Sequence, residues 1–160
     1  MRDIDLLIQG LASTPEILEN LLADIPVEKL KQERIKNKWT IHEHVCHIAQ
    51  AEEMIYNRFN EFNQKVTPQF NAYLPGKTVE TSGFIYLDAK DELEHFKTER
   101  AKTLHLIKNF SLDMWERKAC HEEYREYGAY ILLRHVLMHD FFHMYRIEEM
   151  WLTKDEFLIK

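Results

Sequence analysis

The sequence predicts an all-α fold: four long helices packed as a bundle and joined by one long crossover loop. Three observations predict it. Apolar residues recur at helical spacing over four long stretches. Turn formers are scarce, with four glycines and four prolines in 160 residues, too few for many short strands. Two of the four stretches also open on helix-capping signals. A chain of this length encloses one core, and the expected organisation is a single domain over residues 1–160.

The first stretch, residues 3–25, places Ile4, Leu7, Ile8, Leu11, Ile17, Leu18, Leu21 and Leu22 on one face. Pro15 interrupts it, so a kink or short break is expected near Ser13, with Thr14 capping a fresh helix. Pro26 lies just past its end. The second helix opens on Thr40-Ile41-His42-Glu43, a capping box, and its periodicity continues to about Phe62. Residues 65–87 contain Pro68, Pro75, Gly76 and Gly83 and read as the crossover, long enough to be functional or to carry a short helix. Asp88 can cap a third helix that runs to about Asn109 through Leu93, Phe96, Ala101, Leu104 and Ile107. The segment 111–128 fits neither the helical nor the strand period. After Gly128 comes the most apolar helix, which should be buried on both sides because Leu133, Leu137 and Met144 lie opposite its inward face. Residues past Met150 or a second subunit would cover that side.

The formal net charge is -6 and the pI about 5.8, an acidic balance that disfavours nucleic acid as a partner. No apolar run approaches the roughly 20 residues that span a bilayer. The N-terminal residues lack the form of a signal peptide, and Cys46 and Cys120 belong to no disulfide framework. A cytoplasmic location with no membrane contact is therefore expected.

Nine histidines are the compositional oddity. At about 100° per residue, His139 and His143 lie about 40° apart, one turn from each other on the face of Leu132, Val136, Ile147 and Met150. Both imidazoles should point inward. His47 and His44 share the face of Ala51, Met54, Ile55 and Phe62 on the second helix, and spacing alone does not choose between them. A buried histidine is ordinarily a hydrogen-bonded core residue, but an i,i+4 pair on an apolar stripe is costly to bury without a ligand. Neutral imidazoles suit Zn, Ni, Cu and Fe, and three of them leave a coordination position open. Small Ala51, one turn past His47, would leave room for a ligand.

KWTIHEHVCHIAQAE at 38–52, preceded by LASTPEILENLLADIPVEKL, and RHVLMHDFFHMYRIEEM at 134–150 resemble the DinB-like family. The resemblance follows most of the chain in order and is weakest over 65–87 and 110–127. It implies a four-helix bundle, commonly a homodimer, with a three-histidine metal site, and it carries the ligand positions onto His47, His139 and His143. It also implies one divalent ion, Zn or Ni foremost, with Fe, Co or Mn as alternatives. The family includes thiol-dependent transferases and isomerases, so a small-molecule thiol or electrophile is the expected partner. This chain departs from the family pattern in placing Phe142 before His143, and Met144, Tyr145 and Arg146 after it.

Around this site, His135 may be read as a donor behind the ligands or as an ordinary half-exposed histidine, and His44 as a spare ligand or a solvated rim residue. Arg58 and Arg146 could bind an anionic substrate or form plain salt bridges. Cys46 is about 100° from His47 and reads as packing, and its place in HEHVC rules out the zinc-protease motif. A di-iron site is disfavoured because inward carboxylates are not evident on the first two helices. Trp115, Trp151, Phe141, Phe142 and Tyr145 read as core or dimer contacts. Two functions are expected from this pattern: a metal-dependent transferase or hydrolase that activates a thiol or water, or a non-catalytic binding or stress-response bundle with a structural metal or none.

Overall fold

Four helices carry the molecule, and the computed structural model describes them within residues 3–72 and 81–158. In chain order the elements are α1 (Ile4–Ala23), α2 (Val27–Leu30), α3 (Ile41–Gln64), β1 (Gln69–Phe70), α4 (Thr81–Phe84), α5 (Ala89–Ile107), α6 (Leu112–Glu116), β2 (Lys118–His121), β3 (Tyr127–Gly128) and α7 (Ala129–Leu152), with a 3-10 turn at Asp155–Phe157. The long helices α1, α3, α5 and α7 form the bundle. Its core falls into two clusters, one around Leu11, Phe59, Phe62, Leu132 and Leu133, the other around Leu18, Ile48, Phe96, Ile147 and Met150.

The capping signals form as expected. The Thr40 hydroxyl accepts from the Glu43 backbone N–H at 3.2 Å, and the Glu43 carboxylate accepts from the Thr40 N–H at 2.8 Å. These bonds satisfy donors that the first helical turn would otherwise leave unpaired. The Asp88 side chain accepts from the N–H groups of Lys90 and Asp91.

The expected break near Ser13 is absent: α1 is one helix with Pro15 inside it, and Thr14 is a buried mid-helix residue rather than a cap. Pro15 has no N–H to give the Leu11 carbonyl one turn back. That carbonyl accepts instead from the Thr14 hydroxyl and from an Arg100 guanidinium N–H, each at 3.1 Å. Side chains replace the bond that proline removes, and the helix continues.

Beside the bundle lies one small sheet. Segment 111–128 is a short helix and two strands, with β2 antiparallel to β3 and parallel to β1 in the order β1-β2-β3. The crossover is therefore tied down at Gln69↔Cys120 and Phe70↔His121, while Pro75 and Gly76 lie outside the described residues. Gly128 ends β3, where a Cβ would overlap the Arg117 carbonyl oxygen. Its backbone must come that close because the Ala129 N–H donates to the same oxygen.

The second apolar side of α7 is covered largely by α1, with Trp151 packed against the Met144 end. Leu133 and Met144 are buried with Leu11 and Leu18 of α1. Gly10 lets α1 approach closely, since a Cβ there would stand 3.1 Å from Leu137. What α7 does expose is Met138, Phe141, Phe142 and Tyr145, one stripe at helical spacing.

Candidate metal centre

The three histidines singled out by sequence meet between the first third of α3 and the middle of α7. One ring nitrogen from each of His47, His139 and His143 lies within 4.8 Å of the others, and the set could hold a metal ion. His47 Nε2 and His139 Nε2 are 3.0 Å apart. The ring centroids of His143 stand 4.6 Å from His47 and 4.5 Å from His139. His47 and His143 are buried, and His139 keeps about a third of its side chain exposed.

Sequence reasoning misplaced His44. It is buried, not on a solvated rim, and its Nδ1 lies 2.7 Å from Nδ1 of His143. One of these nitrogens must carry the proton. If His143 Nδ1–H donates to His44, the lone pair on His143 Nε2 is left for a ligand. His44 thus stands behind a ligand position rather than in one.

Burial keeps these rings neutral. It pushes His47 down to about 3, with His139 and His44 adding to the effect, and His44 down to about 4, with Arg146 and His139 adding. His143 is driven lower still by burial and by its three neighbouring imidazoles. Neutral imidazoles keep the lone pairs that a divalent ion needs. Imidazole nitrogens about 2.0–2.1 Å from a tetrahedral zinc stand roughly 3.3 Å apart, so the 3.0 Å between His47 and His139 needs only a few tenths of an ångström of opening. A further sign of fit is His139 Nδ1, a buried nitrogen with no hydrogen-bond partner whose nearby carboxylate, Asp140 Oδ1, is 3.8 Å away. The donor set fits a metal ion, and a closing of that gap would give the second support that ligating histidines ordinarily have.

Aromatic groups roof the site. The Trp39 ring centroid lies 4.6 Å from His47 and 5.9 Å from His143, the latter nearly parallel. Phe84, brought in by the crossover helix α4, packs on both Trp39 and His47, and its carbonyl is 2.8 Å from His42 Nε2. Cys46 is buried beside His42, away from the three ligands, and burial raises its thiol to about 12, so it is not a thiolate near neutrality.

A second polar cluster was invisible as such in the sequence. Arg100 of α5, fully buried, donates from Nε and Nη2 to the Glu52 carboxylate of α3 at 3.0 and 2.6 Å. Its Nη1 donates to Asp140 of α7 at 2.6 Å and to the Thr14 hydroxyl of α1 at 2.8 Å, and that hydroxyl shares its single proton between Asp140 at 2.7 Å and the Leu11 carbonyl at 3.1 Å. Burial raises Glu52 against the pull of Arg100; at Asp140 burial acts the same way, but Arg100 and its hydrogen bonds prevail and hold it low. Inward carboxylates therefore do exist, Glu52 on α3 and Asp140 on α7. Both are consumed by one guanidinium, so neither is open to a metal ion. The sequence signal was available: Arg100 follows Leu93 by seven residues and Phe96 by four, on an apolar stripe.

The remaining candidates separate. Arg146 pairs with Glu149, so the salt-bridge reading holds there. His135 is half-buried, its ring 5.0 Å from Tyr124 and 5.6 Å from Tyr127. With Arg58 it lines a cavity of about 410 Å³ that opens beside His139. Ala51 is part of that wall.

The model of the DinB superfamily matches residues 11–147. Among curated protein sequences there is no significant match. A solved structure, YfiT from Bacillus subtilis, described as "a probable metal-dependent hydrolase with an unusual four-helix bundle topology", superposes with a TM-score of 0.84 at 19% identity, over 94% of this chain and 87% of that one. At that identity the likeness speaks to the fold. The family match spans all four bundle helices and the three converging histidines, and the chain belongs to the DinB superfamily.

Proposed function

We propose that the chain binds one divalent ion, zinc or nickel before iron, cobalt or manganese, through His47, His139 and His143, and uses it in hydrolysis or thiol transfer. The observation that carries this reading is the convergence of three imidazoles, two buried and one at a cavity wall, with ligand nitrogens within 4.8 Å. The YfiT description agrees with it. An ion held there would supply Lewis acidity, enough to bring a water or thiol into its reactive form near neutral pH.

The chain's own residues prepare the rest. His44 holds the His143 ring through the Nδ1 contact and so selects which nitrogen is free. Trp39 and Phe84 cover His47 and keep bulk water off that side. Access is left on the His139 side, where small Ala51 opens the cavity. In this mechanism the histidines act as ligands, not as bases.

The test is to assay metal-free, zinc-loaded and nickel-loaded protein, with His139→Ala, on activated esters and on a thiol plus an alkylating electrophile. Turnover should require metal and vanish in His139→Ala. Metal-loaded parent protein no faster than the metal-free protein or His139→Ala would sink the enzymatic reading. One observation favours a second reading, a non-catalytic binding bundle with a structural ion: the exposed stripe of Met138, Phe141, Phe142 and Tyr145 is the kind of apolar patch that serves a partner or a second copy of the chain. In that case metal would raise stability without any turnover.

A further inference from the structure

The cavity beside His139 has a polar end whose chemistry the metal site does not explain. Along α3 the face that carries His47 continues through Ala51 and Met54 to Arg58, which lies eleven residues on, about 16 Å along the axis and within roughly 20° of the same direction. Along α7 the face that carries His139 continues back through His135, Val136 and Leu132. These side chains form the long, mostly apolar walls of the cavity. The hairpin β2–β3 closes its far end with His121, Tyr124 and Tyr127, whose rings pack at centroid distances of 4.7 to 5.5 Å.

Arg58 is built in at that end. Its Nη2 donates to the Asn71 carbonyl at 2.9 Å, and its guanidinium lies 5.4 Å from the Phe70 ring centroid. Among the described residues no carboxylate pairs with it, whereas Arg34, Arg100, Arg117 and Arg146 each have one. A guanidinium has five N–H donors in a fork that matches a carboxylate, and the bonds to the Asn71 carbonyl and the Tyr127 side chain leave the others available. His121 adds a donor. Its Nδ1 accepts the Glu123 backbone N–H at 3.1 Å, so the neutral ring carries its proton on Nε2. Glu123, the one acidic residue lining the cavity among the described residues, is exposed.

We propose that this cavity binds a small monocarboxylate with an apolar aryl or alkyl body, its carboxylate at Arg58 and His121 and its other end beside His139. The proposal rests on the metal-site reading for what happens at that other end, and on the cavity alone for binding. An apolar wall with one charged end favours an amphiphilic anion over a neutral or cationic molecule of the same shape.

Three probes with one body separate the terms: phenylbutyrate, phenylbutanol and phenylbutylamine, titrated calorimetrically into the full chain, metal-free and zinc-loaded. Phenylbutyrate should bind at least about tenfold more tightly than the other two, as expected for a charge-assisted hydrogen-bonded pair. Arg58→Gln should bring it down to the level of phenylbutanol while leaving phenylbutanol and zinc affinity unchanged, which also shows that the variant folds. Met138→Glu, an exposed change at the cavity wall, should weaken phenylbutyrate and spare phenylbutanol. Equal binding of the three probes, or phenylbutyrate binding that survives Arg58→Gln, overturns the proposal. Binding that needs zinc and ignores Arg58 also overturns it and leaves the metal reading standing. Arg58-dependent binding in a chain that takes up no zinc supports the cavity and removes the metal reading instead.

Discussion

Two polar clusters sit in the same bundle and share neighbouring residues, yet they are built on opposite plans. The Arg100 cluster draws on all four long helices and is closed: the guanidinium, two carboxylates, the Thr14 hydroxyl and the Leu11 carbonyl satisfy one another within 3.2 Å. The histidine cluster draws on α3 and α7 and is open. It sets nitrogens against nitrogens, His47 to His139 and His44 to His143, and leaves His139 Nδ1 buried without a partner. Residues Asp140 and His139 are adjacent in sequence and belong one to each. A closed cluster needs nothing further and holds the helices in register. An open one made of lone-pair donors is completed by a cation.

The comparison breaks most sharply on stability. Arg100→Met should cost about 3–5 kcal/mol, because it strands two buried carboxylates, and urea unfolding of the variant measures it. By contrast, His139→Ala in the metal-free protein should cost less than about 1 kcal/mol, since that ring is part-exposed and its Nδ1 has no hydrogen-bond partner. A loss of similar size in both would show that the two clusters do not differ in kind.

Zinc should narrow the gap. At a hundredfold excess over its dissociation constant, an ion that binds only the folded chain adds about 2.7 kcal/mol, and thermal melts with and without chelator report it. The gain should disappear in His47→Ala, His139→Ala and His143→Ala. It should persist in Thr40→Ala, which removes only the α3 cap and costs about 1 kcal/mol.

Acid should loosen the open cluster in particular. His44 and His47 titrate at about 4 and about 3 in the folded chain, and His143 lower still, against about 6.5 when unfolded. Their folded values are depressed, so the stability they contribute is present above pH 6.5 and lost as pH falls toward 4 and 3. Over that window each unfolded imidazole takes up a proton that the folded one refuses, a slope on the order of 1.4 kcal/mol per pH unit per ring. Metal-free His44→Phe should show a shallower acid slope than the parent in urea titrations between pH 6.5 and 4.5. An unchanged slope would contradict the assignment.

The sequence made the open cluster more legible than the closed one. His139 and His143 stood out because i,i+4 spacing puts them on an apolar stripe, and Thr40 and Glu43 because a capping box is local. Choosing His47 over His44 needed the family resemblance, since both lie on one face, and only the structure shows His44 bonding His143 from behind. Nothing local marks Arg100, Glu52 and Asp140 as a set, and their partners are 40 to 126 residues away in sequence. Pro15 misled for the same reason: the donors that satisfy Leu11 are side chains, one of them from α5. The cavity wall in segment 111–128 was unreadable because its strands are too short to show a period and β2 pairs with β1 across about fifty residues.

The central claim is that the open cluster is a metal site, and metal content tests it most directly. Protein purified without a histidine tag, stripped and then reconstituted with zinc or nickel, should hold close to one equivalent per chain by elemental analysis, and His139→Ala under one tenth of that. Less than half an equivalent in the parent chain, not restored by either ion, would contradict it.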